Sequence, residues 1–375
     1  MQPLTKKLSK KILDSLLDNR HTAKRVLIYE ACPQCGMKLN KRGVEVLYRL
    51  PMVRCIVARA PLSMLPVLAS MGVISYIETD DDIKIDIDAA AKTVGAYAFR
   101  EKYGSGQGVN IAVIDTGIFP HNDFTKPSNR IIGFVDFIND REEPYDDNGH
   151  GTFCAGCAMG SGYVSGGKYT GIAPGCGVLM LKAVDSQGSG SVSNILRAMQ
   201  WVSDNAEEYN IKVLSISLGI EPREDSEGRD VLSNAAKILW AQGITVVAAA
   251  GNSGPYEGTI NSPGTCPDII TVGAINDRFG KRQMASFSSR GNVGDNKPDI
   301  VAPGVNITAA SASGGYTVMS GTSMATPIAA GCAALLLAKE PGLSPIKVKE
   351  KLLENAVSIM EPRHVEGMGV VSLPE

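Results

Sequence analysis

The 375-residue chain is 44% hydrophobic, with 37 Lys+Arg against 39 Asp+Glu and a formal charge of -2. That apolar content supports a sizeable core in one large domain or two ordinary ones. The near-neutral balance excludes a basic field for nucleic acid and a strongly acidic tail.

Residues 1–20 lack the uninterrupted apolar segment and small-residue cleavage site of a secretory signal, and no later stretch reads as transmembrane. Leu4, Leu8, Ile12, Leu13, Leu16 and Leu17 recur at helical spacing, with Lys6, Lys7, Lys10 and Lys11 mostly between them. They predict a short amphipathic helical extension, suited to a membrane surface or to its own protein; docking on its own protein is the reading carried forward. Eight cysteines without a leader favour a reducing compartment, so the expected location is cytoplasmic.

Residues 21–88 read as a small α+β unit. Val26–Glu30, Val53–Arg59 and Val73–Glu78 are β-rich, and Pro61–Met71 is helical in pattern. The acidic run Thr79–Asp82 and the alternating Ile83–Asp88 predict an exposed strand or linker.

The texture changes from Val109. Val109–Asp115, Val178–Val184, Val213–Leu218, Ile244–Ala250 and Ile269–Ile275 are short apolar runs of the kind buried in parallel sheets. Ser193–Tyr209, Asp230–Gln242, Met324–Lys339 and Ser344–Ser358 read as the helices around them. The predicted architecture is an α/β parallel sheet covered by helices on both faces, with polar residues gathering at the strand ends.

Three stretches stand out at such ends. Asp115 closes an apolar strand before Thr116-Gly117, a position that suits an acid orienting a base or a simple turn cap. His150 lies in Asp146-Asp147-Asn148-Gly149-His150-Gly151-Thr152, before a helix through Phe153–Met159; the flanking glycines leave room for a substrate and a nucleophile. His21, His121 and His364 have no comparable setting. Ser323, in Ser320-Gly321-Thr322-Ser323-Met324-Ala325-Thr326-Pro327, opens a long apolar helix. A serine hydroxyl becomes a nucleophile only with a base, an orienting acid and an oxyanion site.

Val113–Ile118, Asn148–Thr152 and Gly321–Pro327 together resemble the three signature segments of the subtilisin-like serine proteases, in the order Asp, His, Ser. The resemblance covers most of residues 91–358. It implies a serine endopeptidase acting on proteins or peptides, with Asp115, His150 and Ser323 as the triad and Asn252 as the oxyanion donor beside the Ser323 N–H. It also implies substrate strands at Gly188, Ser189, Gly190 and at Ser217, Leu218, Gly219. Ala249, Ala250, Gly251 and Asn261–Gly264 would line a pocket for a large apolar side chain before the cut.

Residues 21–88 resemble the ferredoxin-like inhibitory propeptide of that family, giving domains of 1–20, 21–88 and 89–375 and a self-processing zymogen cut within about Asp82–Ala90. Its Glu78 and Asp80 would meet helix N-termini. No cofactor and no metal is implied for catalysis. His121 and Asp123 follow the family pattern, but 161–168 lacks the asparagine-rich calcium loop of many secreted members, which puts a structural calcium there in doubt. Phe153 and Ile328 each replace a histidine common after the two motifs. Cys32-Pro33-Gln34-Cys35 has half-zinc or redox-pair spacing, with no matching second pair; Cys154 and Cys157 read as small buried side chains. Two other classes share these residues: a peptide-binding scaffold that does not cut, and a serine esterase or peptide ligase.

Overall fold

The computed structural model describes residues 7–9, 12–13, 15–16, 23–30, 39, 43–50, 54–80, 87–222, 230–277 and 281–374. The chain forms two compact units, Met1–Lys84 and Ile85–Glu375. The pair Cys32 and Cys35 and most of the predicted cleavage segment lie outside the described residues.

In the smaller unit, β1 (Ala23–Glu30), β2 (Glu45–Leu50), β3 (Cys55–Pro61) and β4 (Ile74–Thr79) form an antiparallel sheet in the order β2-β3-β1-β4. The predicted helix at Pro61–Met71 is shorter, a 3-10 turn running into α1 (Leu65–Ala69). Leu8 and Ile12 are buried with Val26, Ile28, Leu65 and Leu68, so residues of the 1–20 extension belong to this unit's core. Glu78 accepts from the Tyr29 hydroxyl at 2.6 Å and Asp80 pairs with Arg25 at 2.6 Å. Both carboxylates expected at helix N-termini therefore have partners inside their own unit.

The larger unit opens with α2 (Ile87–Thr93) and α3 (Ala96–Tyr103); residues 83–86 of the alternating stretch read as an exposed strand or linker lie outside the described residues. Its sheet holds β5 (Asn110–Asp115), β6 (Ile131–Asp136), β7 (Gly177–Lys182), β8 (Ile211–Ile216), β9 (Thr245–Ala249), β10 (Ile270–Asn276), β11 (Gln283–Met284) and β12 (Ile300–Pro303). The order is β11-β10-β9-β8-β5-β7-β6 with β12 also on β10, and every pairing but β10–β11 is parallel. The central strands are buried along almost their whole length, which requires cover on both faces. The helix Thr322–Lys339 packs on β8, β9, β10 and β12 and against His150–Met159, while Val192–Asn205 and Val231–Ala241 pack on each other. This is the expected architecture.

Capping explains where these helices start. The side chains of Ser191, Asp230 and Ser344 each accept a first-turn backbone N–H. The predicted ends ran long: the chain leaves the helix after Asn205 and turns through Asn210 at a φ of 46° before β8. Among the described residues, only Thr322–Lys339 is long and apolar enough to cross a membrane; 83% of it is buried in the fold, and core packing accounts for its composition. Because β5 sits between β7 and β8 and the parallel strands share one direction, Asp115, Lys182, Ser217 and Asn252 all fall at the same end of the sheet.

Candidate active site

Asp115 is fully buried at the end of β5. Its Oδ1 accepts the Thr116 N–H at 2.8 Å and lies 2.7 Å from His150 Nδ1. Nδ1 thus carries a proton toward the acid, which leaves Nε2 as the basic nitrogen. Asp115 Oδ2 has no hydrogen-bond partner among the described residues. The carboxylate raises the His150 imidazole well above its ordinary value of 6.5, chiefly by charge.

The platform under His150 rests on residues that the sequence did not single out. Asp146 Oδ1 accepts from the Thr116 hydroxyl at 2.9 Å and the Gly149 N–H at 2.8 Å, while Oδ2 accepts the Thr152 N–H at 2.9 Å and its hydroxyl at 2.6 Å. Asp146 therefore satisfies the first turn of the helix that carries His150, with Gly149 supplying a left-handed φ of 103°. An Asp and a Thr bracketing a predicted helix start were the available signal. Gly151 also has a reason within the fold: a Cβ there would lie 2.2 Å from the Gly117 carbonyl oxygen. A side chain there would block the acid turn.

Ser323 stands in the first turn of Thr322–Lys339, whose Pro327 lacks the N–H that would bond the Ser323 carbonyl. The Cys154 thiol donates to that carbonyl at 3.3 Å, and its sulfur is 3.7 Å from His150 Nδ1. Burial raises the Cys154 thiol, which keeps it a proton donor. The Ser323 hydroxyl donates to the Ser217 carbonyl at 2.9 Å; no hydrogen bond joins it to His150 among the described residues.

Asn252 follows β9, and its Oδ1 accepts both the N–H and the hydroxyl of Thr322 at 3.0 Å. Those two donors fix the amide orientation and leave Nδ2 as a donor with no partner among the described residues, beside the serine turn. Ser217–Gly219, Ala249–Gly251 and Asn261–Gly264 come together: Ile220 and Ser262 exchange two backbone bonds, and Asn261 donates to Ala250 at 2.8 Å. Side chains at Gly219 and Gly264 would strike Ser262 and Ala249 carbonyls at 2.9 Å, so this wall is built from backbone. Gly188–Gly190 lie in a turn closed by Asp185 and Ser189, tied to the His150 loop by Asn148 donating to Ser186 at 3.1 Å. No hydrogen bond links this segment to Ser217–Gly219 among the described residues.

The Asp123 position does not fit a cation. Its carboxylate accepts the Tyr316 hydroxyl at 2.9 and 3.0 Å and the Val164 N–H at 3.0 Å, so hydrogen-bond donors face it where a calcium would need oxygen ligands. Asp115, His150 and Cys154 have potential ligand atoms within 4.8 Å of one another, but Oδ1 and Nδ1 are already engaged with each other. Cys154 and Cys157 are buried free thiols, and Phe153 and Ile328 are buried in the core.

Residues 106–369 match the family described as the subtilase family. The chain is 37% identical to serine protease AprX of Bacillus subtilis (strain 168), over 96% of this chain and 89% of that protein. It is 34% identical to subtilisin DY of Bacillus licheniformis, over 72% of this chain and 90% of that protein. Among solved structures, a cold adapted subtilisin-like serine proteinase superposes with a TM-score of 0.60 at 31% identity, covering 72% of this chain and 90% of that one. Sphericase superposes with a TM-score of 0.63 at 30% identity, covering 74% and 98%.

Proposed function

We infer that this chain, which belongs to the subtilase family of serine proteases, cuts peptide bonds with Ser323 as nucleophile, His150 as general base and Asp115 as the acid that orients it. The observation that carries the reading is the 2.7 Å Asp115–His150 pair beside a serine in a helix first turn, at one end of the sheet. Ser323 Oγ adds to the scissile carbonyl as its proton passes to His150 Nε2; the imidazolium then protonates the leaving amine, and water resolves the acyl-enzyme by the reverse sequence. Asn252 Nδ2 and the Ser323 N–H receive the oxyanion, a contribution of about 10²–10³ in kcat for the side-chain donor alone.

The resting hydroxyl bond supports a role for the substrate itself. Ser217 belongs to the strand expected to bind substrate, and a peptide N–H bonding to its carbonyl displaces the Ser323 hydroxyl toward His150. An extended backbone that adds to Ser217–Gly219 and Gly188–Gly190 is thus both bound and read.

The smaller unit is proposed as the propeptide that the active enzyme removes. Its four-stranded antiparallel sheet, formed as a compact unit at the N-terminal side of the subtilase domain, supports that reading. The buried free thiols Cys154, Cys157, Cys176, Cys266 and Cys332 fit a reducing, intracellular setting.

Ser323→Ala tests the core of this. It should fold, lose about 10⁶ in kcat, fail to react with a serine-directed fluorophosphonate and keep its N-terminal segment by intact mass. The parent should label and be cut near residues 82–90. Equal labelling of both proteins would sink the assignment, and a parent that labels but stays whole would remove the self-processing. Turnover of an ester without a matching peptide amide would favour the esterase class.

A further inference from the structure

Lys182 is a fully buried cation at the end of β7, directly opposite Asp115 in the β5–β7 register. Burying an ammonium is costly unless each proton finds an acceptor. Here all three do. Nζ donates to the Thr116 carbonyl at 2.5 Å, to Asp147 Oδ1 at 2.7 Å and to the Val184 carbonyl at 3.0 Å. The charge also lies 5.0 Å over the Tyr145 ring.

Those acceptors belong to three different pieces of the site. Thr116 follows the acid, donates its N–H to Asp115, and through its hydroxyl bridges Asp146 and the Gly151 N–H. Asp147 lies in the loop that leads into His150. Val184 begins the path to Gly188–Gly190, and its own N–H and that of Ala183 return to the Asp115 carbonyl at 3.3 and 3.0 Å. A single cation under the sheet end therefore fixes acid turn, base loop and one substrate segment to a common point.

We propose that Lys182 is a positioning residue for the reaction, setting the Asp115–His150 distance by clamping the two loops that carry them. A neutral hydrogen-bonding residue would not do the same: only an ammonium supplies three donors from one atom while holding the Asp147 charge. The proposal rests on the protease reading, and labelling of the parent by a fluorophosphonate tests that reading separately.

The experiment compares parent, Lys182→Met and Asp147→Asn, each normalised to active sites by fluorophosphonate titration. The readouts are kcat and KM on a peptide amide and the downfield proton resonance of His150 Nδ1–H. Lys182→Met should lose roughly 10- to 100-fold in kcat with KM within about twofold, as expected for a small misplacement of catalytic groups, and the resonance should broaden or vanish. Asp147→Asn leaves Lys182 its two carbonyls and should lose roughly 3- to 10-fold in kcat. Parental kcat and resonance in both variants, however far their melting temperatures fall, would overturn the proposal. If Lys182→Met does not fold, Asp147→Asn decides alone: unchanged kcat overturns it and a reduced kcat with an altered resonance upholds it. A parent that does not label would fail the protease reading instead.

Discussion

The two ends of the large sheet each bury an aspartate among ionisable partners, yet they are finished differently. At the N-terminal end, Asp299 accepts from Lys297 at 2.6 Å, Lys349 at 2.8 Å and the Thr271 N–H at 2.7 Å. Lys297 goes on to the Ile269 carbonyl and the Thr271 hydroxyl, and Lys349 reaches Ile269 as well. Both oxygens of that carboxylate are engaged. At the C-terminal end, Asp115 Oδ2 has no hydrogen-bond partner among the described residues, and Ser323 uses its hydroxyl on a carbonyl that a peptide can claim. Buried polar groups are ordinarily satisfied. Of these two aspartates, the one with unused capacity is the one placed for chemistry; Thr245 Oγ1, buried at the N-terminal end without a partner among the described residues, shows that unused capacity alone does not mark a site.

The largest effect should come from neutralising the acid of the open end. Asp115→Asn should fold, since one oxygen is already unpartnered, and lose about 10⁴-fold in kcat because an amide favours the wrong imidazole tautomer. Catalysis needs neutral His150, whose folded value is raised above 6.5 by the Asp115 charge. Parental kcat/KM should therefore rise with pH through a limb above 6.5, and in Asp115→Asn the residual limb should move to lower pH. A pH–rate profile of both proteins checks this, and a limb that stays put would show that the pair is not the titrating unit.

Neutralising the closed end should do the opposite. Asp299→Asn leaves two buried lysines short of a counter-charge and should cost about 3–5 kcal/mol of stability, with kcat per titrated site unchanged. Burial lowers Lys297 to about 8, Lys349 adding to the effect and Asp299 opposing it. The folded chain then releases this proton near pH 8 and the unfolded chain only near its ordinary 10.5. Between those values the unfolded state binds more protons, so this group's contribution stabilises the fold as pH rises. Denaturant midpoints for the parent and Lys297→Met across that range should diverge in the parent's favour. Loss of turnover per site in Asp299→Asn would break the distinction between the ends.

This contrast also marks how far the sequence could be read. Apolar runs ending in Asp115 or before Asn252 announced their strands because strands buried on both faces are almost purely apolar. Motif order then brought Asp115, His150 and Ser323 together. The pieces that hold them were not legible, since Lys182 closes an apolar strand and Asp146 stands in a polar loop, and only the β5–β7 register and the turn at Gly117 give either one its partners. Ile131–Asp136 and Ile300–Pro303 went unread for a related reason: the first is only partly buried and is interrupted by Gly133, and the second is four residues ending in a proline. The sequence showed a glycine beside His150 but not the carbonyl that crowds it, which is 34 residues distant in the chain.

Asp123, in the short helix Asn122–Thr125, gives the smallest and most discriminating test. Its carboxylate is closed by the Tyr316 hydroxyl and the Val164 N–H, in a corner where His121 and Tyr169 also pack on the Tyr316 ring. Burial, aided by the nearby Asp123 charge, pushes the Tyr316 phenol up to about 12, so it remains a donor over the working range of pH. Tyr316→Phe keeps the ring contacts and removes only that donor. The expected cost is about 1–3 kcal/mol, that of a buried acceptor left short of a partner, with kcat per site unchanged. If the hydroxyl stands where a cation would otherwise sit, the parent's melting temperature should not respond to added calcium or chelator through this corner, while Tyr316→Phe, with its carboxylate uncovered, should gain stability from millimolar calcium. A parent destabilised by chelator and unaffected by Tyr316→Phe would place the corner among metal sites and would overturn the hydrogen-bonded closure argued from Asp123.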